Sequence, residues 1–386
     1  MKPNTSSAPR LWASRKYSMR VLAVTNLYPT SRSPAMGTFV EQQVLGLRRS
    51  GLDVEVMLVN RSEGGMGSYF TMGAELRSRI ERFQPDVVHA MYGGVLAERM
   101  TRIVKDRPTV VSFCGSDLLG ELLSGPMRRV ISEYGILASY IAARRAVGIV
   151  VKSRNLEEAL PATVDRSKVR IIPNGVDLER FRPLDQVDCR NRLGWDSDKF
   201  HVLFPTNAGD PRKRLYLAQA AVDNANRSGL NAEMHQLQGV RHEAVPIWLN
   251  ASNVVLLTSL HEGSPNVIKE ALACDIPVVS VDVGDVSERV EGIEGCYIAR
   301  PDAGDLGVKL GLVRTRGGRI RGRERMQALS LEQTALHLGS LYHEVVQSHK
   351  KQSVGSGTMI HPSLLVHYCL SLLTRKSNFS GQSKRH

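Results

Sequence analysis

The sequence predicts an α/β protein of two doubly wound, parallel-sheet domains facing each other across a cleft. Three observations carry that expectation. Short apolar runs alternate with longer helix-like stretches; the alternation comes in two successive series; and a Pro-Asn-Gly turn followed by a Pro- and Asp-rich stretch separates them. A chain of 386 residues, 42% hydrophobic and 23% charged, is long enough for two cores.

In the first series the strands are expected at residues 21–25, 54–59, 86–90, 109–113 and 148–151. Strands joined by helical crossovers pair in parallel and are covered on both faces, so ligands gather at their C-terminal ends. The strand from Val169 runs into the turn Pro173-Asn174-Gly175, and the second series follows at 201–205, 234–238, 254–258, 278–281 and 296–299. The arginine- and glycine-containing run 314–325 reads as an exposed loop leading into a final helix over 326–346. The expected organisation is a leader over 1–18, a first domain over 19–180, a second over 181–325, a terminal helix over 326–349 and a basic, poorly ordered tail over 350–386. That tail carries a short apolar patch, 362–373, between basic clusters.

Lysine and arginine number 51 against 38 acids, a net charge of +13, which calls for an anionic partner such as nucleic acid, a membrane surface or a phosphorylated substrate. Arg128, Arg129, Arg144 and Arg145 flank a predicted helix rich in Ile, Leu, Ala and Tyr, a composition that can rest on anionic lipid. No run of about 18 apolar residues is present, so no transmembrane helix is expected. Residues 1–18 lack the apolar core of a signal peptide, and Met19, just before the first strand, is a candidate start. Cys114, Cys189, Cys274, Cys296 and Cys369 are scattered without metal or disulfide spacing, which suits a reducing cytoplasm.

The densest chemistry is in residues 260–273, LHEGSPNVIKEALA. Ser264 is a good N-cap and Pro265 suits a first helical position, placing Glu262 just outside a helix and Glu270 inside it. The first-turn amides can face phosphate, while a carboxylate a turn and a half later can accept from vicinal hydroxyls.

The longer string EGSPNVIKEALACDIPVV resembles the E-x7-E signature of the family 4 retaining glycosyltransferases, which have the two-domain GT-B architecture with a C-terminal helix crossing back to the first domain. The resemblance spans about 19–346 and includes the element IPNGVD at 172–177. It implies that Glu262 and the turn Gly263, Ser264, Pro265, Asn266 and Val267 contact donor sugar and phosphates, and that Glu270 holds the nucleotide ribose. Lys213, in the loop after the second domain's first strand, would stabilise the leaving diphosphate. The family's arginine falls near Asn207 or Ala208, where this chain has none, so either Arg212 or Arg214 substitutes or the site uses fewer cations. Gly37 would let backbone approach a phosphate or the acceptor.

On the acceptor side, residues 110–117 resemble a strand ending in His-Gly-Ser-Asp, with Cys114 in the histidine's place and Asp117 as the surviving polar group. A neutral thiol donates poorly, so that contact to donor sugar is weakened or lost. His89 and Tyr92 lie in an element similar to His-Ala-His-Tyr-Gly whose second histidine is Met91; His89 is either a cleft residue or a satisfied core histidine. The segments GSDLLG, Pro-Arg-Lys-Arg and VVSVDVGDVSER look most like the branch that builds teichuronic acid and other cell-surface polysaccharides.

The resemblance therefore implies a cytoplasmic enzyme moving sugar from a UDP- or GDP-sugar to a glycan or lipid-linked acceptor, peripheral at the inner membrane face. It implies no metal, no other cofactor, no protein nucleophile and no nucleic-acid partner. The alternatives are a non-catalytic GT-B protein that only binds a nucleotide sugar, and a GT-B sugar-nucleotide epimerase.

Overall fold

A computed structural model describes residues 18–33, 36–60, 67–121, 125–205 and 210–355. The leader to residue 17, the position around Asn207 and Ala208, and the tail from 356 lie outside the described residues.

The first sheet is built from β1 (Arg20–Thr25), β2 (Asp53–Leu58), β3 (Val87–Ala90), β4 (Thr109–Phe113), β5 (Gly148–Val151) and β6 (Val169–Ile171), in the order β2-β1-β3-β4-β5-β6. Its helices are α1 (Thr38–Arg49), α2 (Ser68–Phe83), α3 (Gly94–Ile103), α4 (Ser116–Leu119), α5 (Pro126–Arg145) and α6 (Arg154–Glu158). Every registered pair is parallel, for example Val21 opposite both Val54 and Val87. The central strands β3, β4 and β5 are buried throughout, which is why they read as continuous apolar runs.

After α7 (Gln186–Leu193), the second sheet takes β7 (Phe200–Phe204), β8 (Ala232–Gln236), β9 (Val254–Leu257), β10 (Val278–Val281) and β11 (Tyr297–Ala299), ordered β11-β10-β9-β7-β8 and again parallel. Around it stand α8 (Leu215–Arg227), α9 (Val245–Ala251), α10 (Asn266–Ala273), α11 (Val286–Val290) and α12 (Ala303–Arg316). Strand β8 begins two residues before the expected 234. It is the sheet edge and half-buried along its whole length, so hydropathy marks it poorly.

Two expectations about the C-terminal region change. The run 314–325 is no simple exposed loop: α12 extends to Arg316, and α13 (Arg323–Met326) follows the turn. Arg319 donates to Asn250 Oδ1 and to the carbonyls of Cys274, Leu184 and Asn250 at 3.1 Å each. Arg323 donates to the carbonyls of Phe181 (2.6 Å), Leu178 (2.7 Å) and Ala273 (3.0 Å). These side chains fasten the start of the second domain to its core, because a guanidinium has enough donors to satisfy several carbonyls at once. The final helix α14 (Leu331–Gly355) begins later than residue 326. As expected of the crossing helix, it returns to the first sheet: Ala335, Leu338, Leu341, Tyr342 and Val345 share a core with Val21, Ala23, Val110 and Val150.

Candidate active site

The C-terminal ends of the two sheets meet at residues 260–266. Gly263 has no room for a side chain, since a Cβ there would lie 2.4 Å from the carbonyl oxygen of Cys114. The loop after β4 thus rests directly on the turn before α10. Two amides fasten the seam: Asn155 Nδ2 donates to the Glu262 carbonyl (2.9 Å), and Asn174 Nδ2 to Asn266 Oδ1 (3.3 Å).

The turn differs from the sequence expectation in one respect. Helix α10 starts at Asn266 with Pro265 as its cap residue, and Ser264 does not cap it. The Ser264 hydroxyl instead donates to Asp285 Oδ2 (2.8 Å) and accepts from Lys269 Nζ (2.9 Å), while Arg289 also donates to Asp285 (2.9 Å). Burial lowers the Lys269 pKa to about 8 despite the nearby Asp285 charge. This buried chain of charges holds the turn from behind.

Lys213 Nζ pairs with Glu262 Oε1 at the end of the short 3₁₀ turn Pro211–Lys213. Lys213 and Glu270 together line a cavity of about 330 Å³ with Pro205, Asp210, Leu237, Val245 and Val267. Glu270 accepts from His242 Nε2 (3.1 Å), whose other nitrogen faces Arg180 (3.0 Å). Burial depresses the His242 pKa, but the bond to Glu270 and its charge outweigh that and raise it overall. Arg212, paired with Asp210 at 2.9 Å, is half-buried, and the hydrogen bond to Asp210 with the charges of Glu262 and Asp210 outweighs the cost of burying it. The site therefore sets Lys213 and Arg212 near a helix N-terminus on one side and two carboxylates on the other.

Other expected site residues stand elsewhere. Arg214 donates to the carbonyls of Thr258 (2.6 Å) and Ser259 (3.1 Å) and lines a different cavity with Asp282 and Arg300. Its strained φ of 52° comes from ending the 3₁₀ turn against α8. Asp117 is buried and spends its carboxylate on the amides of Gly93 (2.9 Å), Cys114 (3.0 Å) and Gly115 (2.7 Å). It shapes the loop rather than reaching into the cleft as a catalytic group. Cys114 Sγ donates to the Met91 carbonyl (3.6 Å), and burial pushes its pKa up to about 12, so it is a neutral thiol.

His89 proves to be the core histidine: fully buried, with Tyr342 Oη at 2.7 Å and Ser112 Oγ at 2.8 Å, and its pKa lowered to about 3 by burial with a smaller push from Lys152. Tyr92 bonds Ser116 Oγ at 2.8 Å. Gly37, at φ 72°, sits where a Cβ would meet the Leu27 backbone at 2.2 Å, so its constraint is a close approach of chain to chain.

Several residues at the site escaped sequence reasoning. His242 follows β8 in a stretch without a motif, and no local signal marks its approach to Glu270. His261 stands beside Glu262 in the sequence, and its buried Nδ1 has no hydrogen-bond partner among the described residues. Lys152 is buried in the first domain with its Nζ on Gln43 Oε1 (3.2 Å). A lysine ending the apolar run of β5 was the available signal.

Two parallel-sheet Rossmann-like domains with a shared cleft and a returning terminal helix define the GT-B architecture. Residues 36–180 match the family model described as Glycosyltransferase Family 4, and residues 206–311 match Glycosyl transferases group 1. Between them the two models span well over half of the chain, and both describe glycosyltransferases. It is 25% identical over 338 residues to a Bacillus subtilis (strain 168) protein named as a teichuronic acid biosynthesis glycosyltransferase, covering 70% of this chain and 82% of that one. It is 26% identical over 325 residues to a D-inositol 3-phosphate glycosyltransferase of Geodermatophilus obscurus, covering 72% and 71%.

Among solved structures, sucrose-phosphate synthase of Thermosynechococcus elongatus superposes with a TM-score of 0.70 at 18% identity, covering 86% of this chain and all of that one. Anabaena HepE in complex with UDP-glucose superposes with a TM-score of 0.56 at 16% identity, covering 88% and 100%. These likenesses establish the fold. The protein is a glycosyltransferase.

Proposed function

We propose that the protein is a retaining glycosyltransferase that takes sugar from a UDP- or GDP-sugar and adds it to a glycan or lipid-linked acceptor of the cell surface. The observation that carries this reading is the pairing of Lys213 with Glu262 at the N-terminus of α10, with Lys213 and Glu270 lining one cavity. A nucleotide diphosphate fits the cation and helix amides, and its ribose diol fits the Glu270 carboxylate. Glu262 would then release Lys213 to the β-phosphate and turn to the sugar hydroxyls.

Transfer proceeds on the front face, the donor phosphate accepting the proton of the incoming hydroxyl. Lys213, Arg212 and the α10 amides stabilise charge on the leaving diphosphate, and positioning lowers the rest of the barrier. On this reading no metal or other cofactor takes part, since side chains and amides supply the positive charge. The name of the teichuronic acid relative supports cell-surface glycan synthesis, and UDP-glucose bound to HepE supports a nucleotide-sugar donor.

Helix α5 supports peripheral contact with anionic lipid at the inner membrane face. Met127, Val130, Ile131 and Tyr134 are exposed beside Arg129, while no helix among the described residues is long and apolar enough to cross a membrane. Retention of the protein by anionic but not zwitterionic vesicles is the expected result.

The neutral Cys114 thiol favours one competing reading, a protein that binds nucleotide sugar without turning it over. Measuring binding and turnover across a UDP- and GDP-sugar panel separates the two. Transfer by the wild type, lost in Glu262→Gln with nucleotide binding retained, supports the enzyme. Binding in both proteins without turnover in either supports the binding module, and release of an epimer without acceptor supports an epimerase.

A further inference from the structure

At the β8 edge of the second sheet, His201, Glu233 and His235 point three ligand atoms at one small volume. None of them lines the cavity around Lys213 and Glu270. We infer that these three residues bind one divalent transition metal of the zinc type, at a structural site separate from sugar transfer.

The topology delivers the ligands. His201 on β7 lies opposite Glu233 on β8, and Glu233 and His235, two residues apart on one strand, project to the same face. His201 Nδ1 is 2.9 Å from His235 Nε2, which is 4.0 Å from Glu233 Oε1, and all three ligand atoms lie within 4.8 Å of one another. Ligands around a tetrahedral zinc at about 2.0–2.2 Å are themselves about 3.3–3.6 Å apart, so small side-chain movements complete the geometry.

The protonation pattern is prepared for it. The Asp196 carbonyl, 2.6 Å from His201 Nε2, can only accept, so His201 carries its proton there and turns the Nδ1 lone pair toward the site. A backbone carbonyl orienting the far nitrogen is the usual outer support of a ligating histidine. Without metal, His235 Nε2–H donates to that lone pair; with metal, the ring remains neutral with its proton on Nδ1, and no proton is released.

Trp195 stacks on His235 with ring centroids 3.6 Å apart and planes 9° from parallel, and Trp248 braces Trp195 edge-on. Metal would replace the hydrogen bond between His201 and His235, while Glu233 offers Oε1 and can keep Lys199 on Oε2 at 2.8 Å. Two imidazoles and a carboxylate suit zinc, cobalt or nickel better than magnesium or calcium, and water completes the fourth position.

Titration calorimetry on the tag-free, chelator-treated full chain tests the site, with visible absorption of the cobalt form as a second readout. One zinc per chain, no magnesium binding and a tetrahedral cobalt spectrum are expected. Glu233→Gln should weaken zinc at least about tenfold, and His235→Asn should abolish both binding and the spectrum. Both variants should keep wild-type transfer activity. Absence of stoichiometric zinc binding overturns the inference, as does unchanged affinity in Glu233→Gln, a surface change that leaves the fold intact even if His235→Asn does not.

Discussion

Two acidic residues at the cleft have opposite duties, set by what surrounds each carboxylate. Glu262 meets a flexible lysine head and can exchange that partner for a ligand, whereas Asp117 is enclosed by three backbone amides that cannot move away. Asp117→Asn replaces one accepting oxygen by an amide that faces N–H groups, and should lower unfolding free energy by about 1–3 kcal/mol in denaturant melts. Lys213→Ala should leave the melt nearly unchanged and reduce transfer about a hundredfold or more, because it removes charge stabilisation of the leaving group. A Lys213→Ala protein with near wild-type turnover would sink the assignment of that lysine. The position of Glu262 in the turn before α10 was visible from its string of neighbours. The role of Asp117 was not, because only the folded loop reveals which amides surround it.

At the level of elements, the junction between the loop after β4 and the turn before α10 controls the cleft. Gly263→Ala places a methyl 2.4 Å from the Cys114 carbonyl, and backbone on the facing domain cannot step aside as a side chain end would. Overpacking of about 1–3 kcal/mol is expected there, relieved by parting the domains. Transfer should therefore fall while circular dichroism stays native, measured side by side on one preparation. The apolar runs announced most strands because parallel strands are buried on both faces. Edge strand β8 was displaced, since half-buried residues carry a weaker pattern. The arginine run 314–325 was misread because its composition resembles a solvated loop, and only the position of α10 and α9 turns Arg319 and Arg323 inward onto carbonyls.

Across the whole molecule, buried histidines couple stability to pH. His89, His201, His235 and His261 all have pKa values lowered chiefly by burial, so their contribution is present above about 6.5 and is lost as pH falls through the folded values. His242 runs the other way: its raised pKa gives stability present below about 6.5 and lost as pH rises through its folded value. Urea midpoints should accordingly drop steeply from pH 6.5 toward 4, with His89 alone amounting to on the order of 4 kcal/mol at the acid limit. A flat profile over that range would contradict the buried, neutral state of His89. Tyr342 on α14 and Ser112 on β4 hold that ring from two sides, so acid should also loosen the returning helix from the first sheet.

The sequence by itself determined two parallel-sheet domains, their order, and the turn from Glu262 to Glu270, because strand burial and helix starts are written in short-range patterns of apolar, proline and glycine residues. The tertiary structure alone decided which of the candidate groups converge. It joined Lys213 to Glu262 and His242 to Glu270 across 49 and 28 positions of chain. It also turned Arg214 and Asp117 to backbone and closed His89 into the core. Convergence depends on how distant segments pack, and no local pattern of residues encodes that.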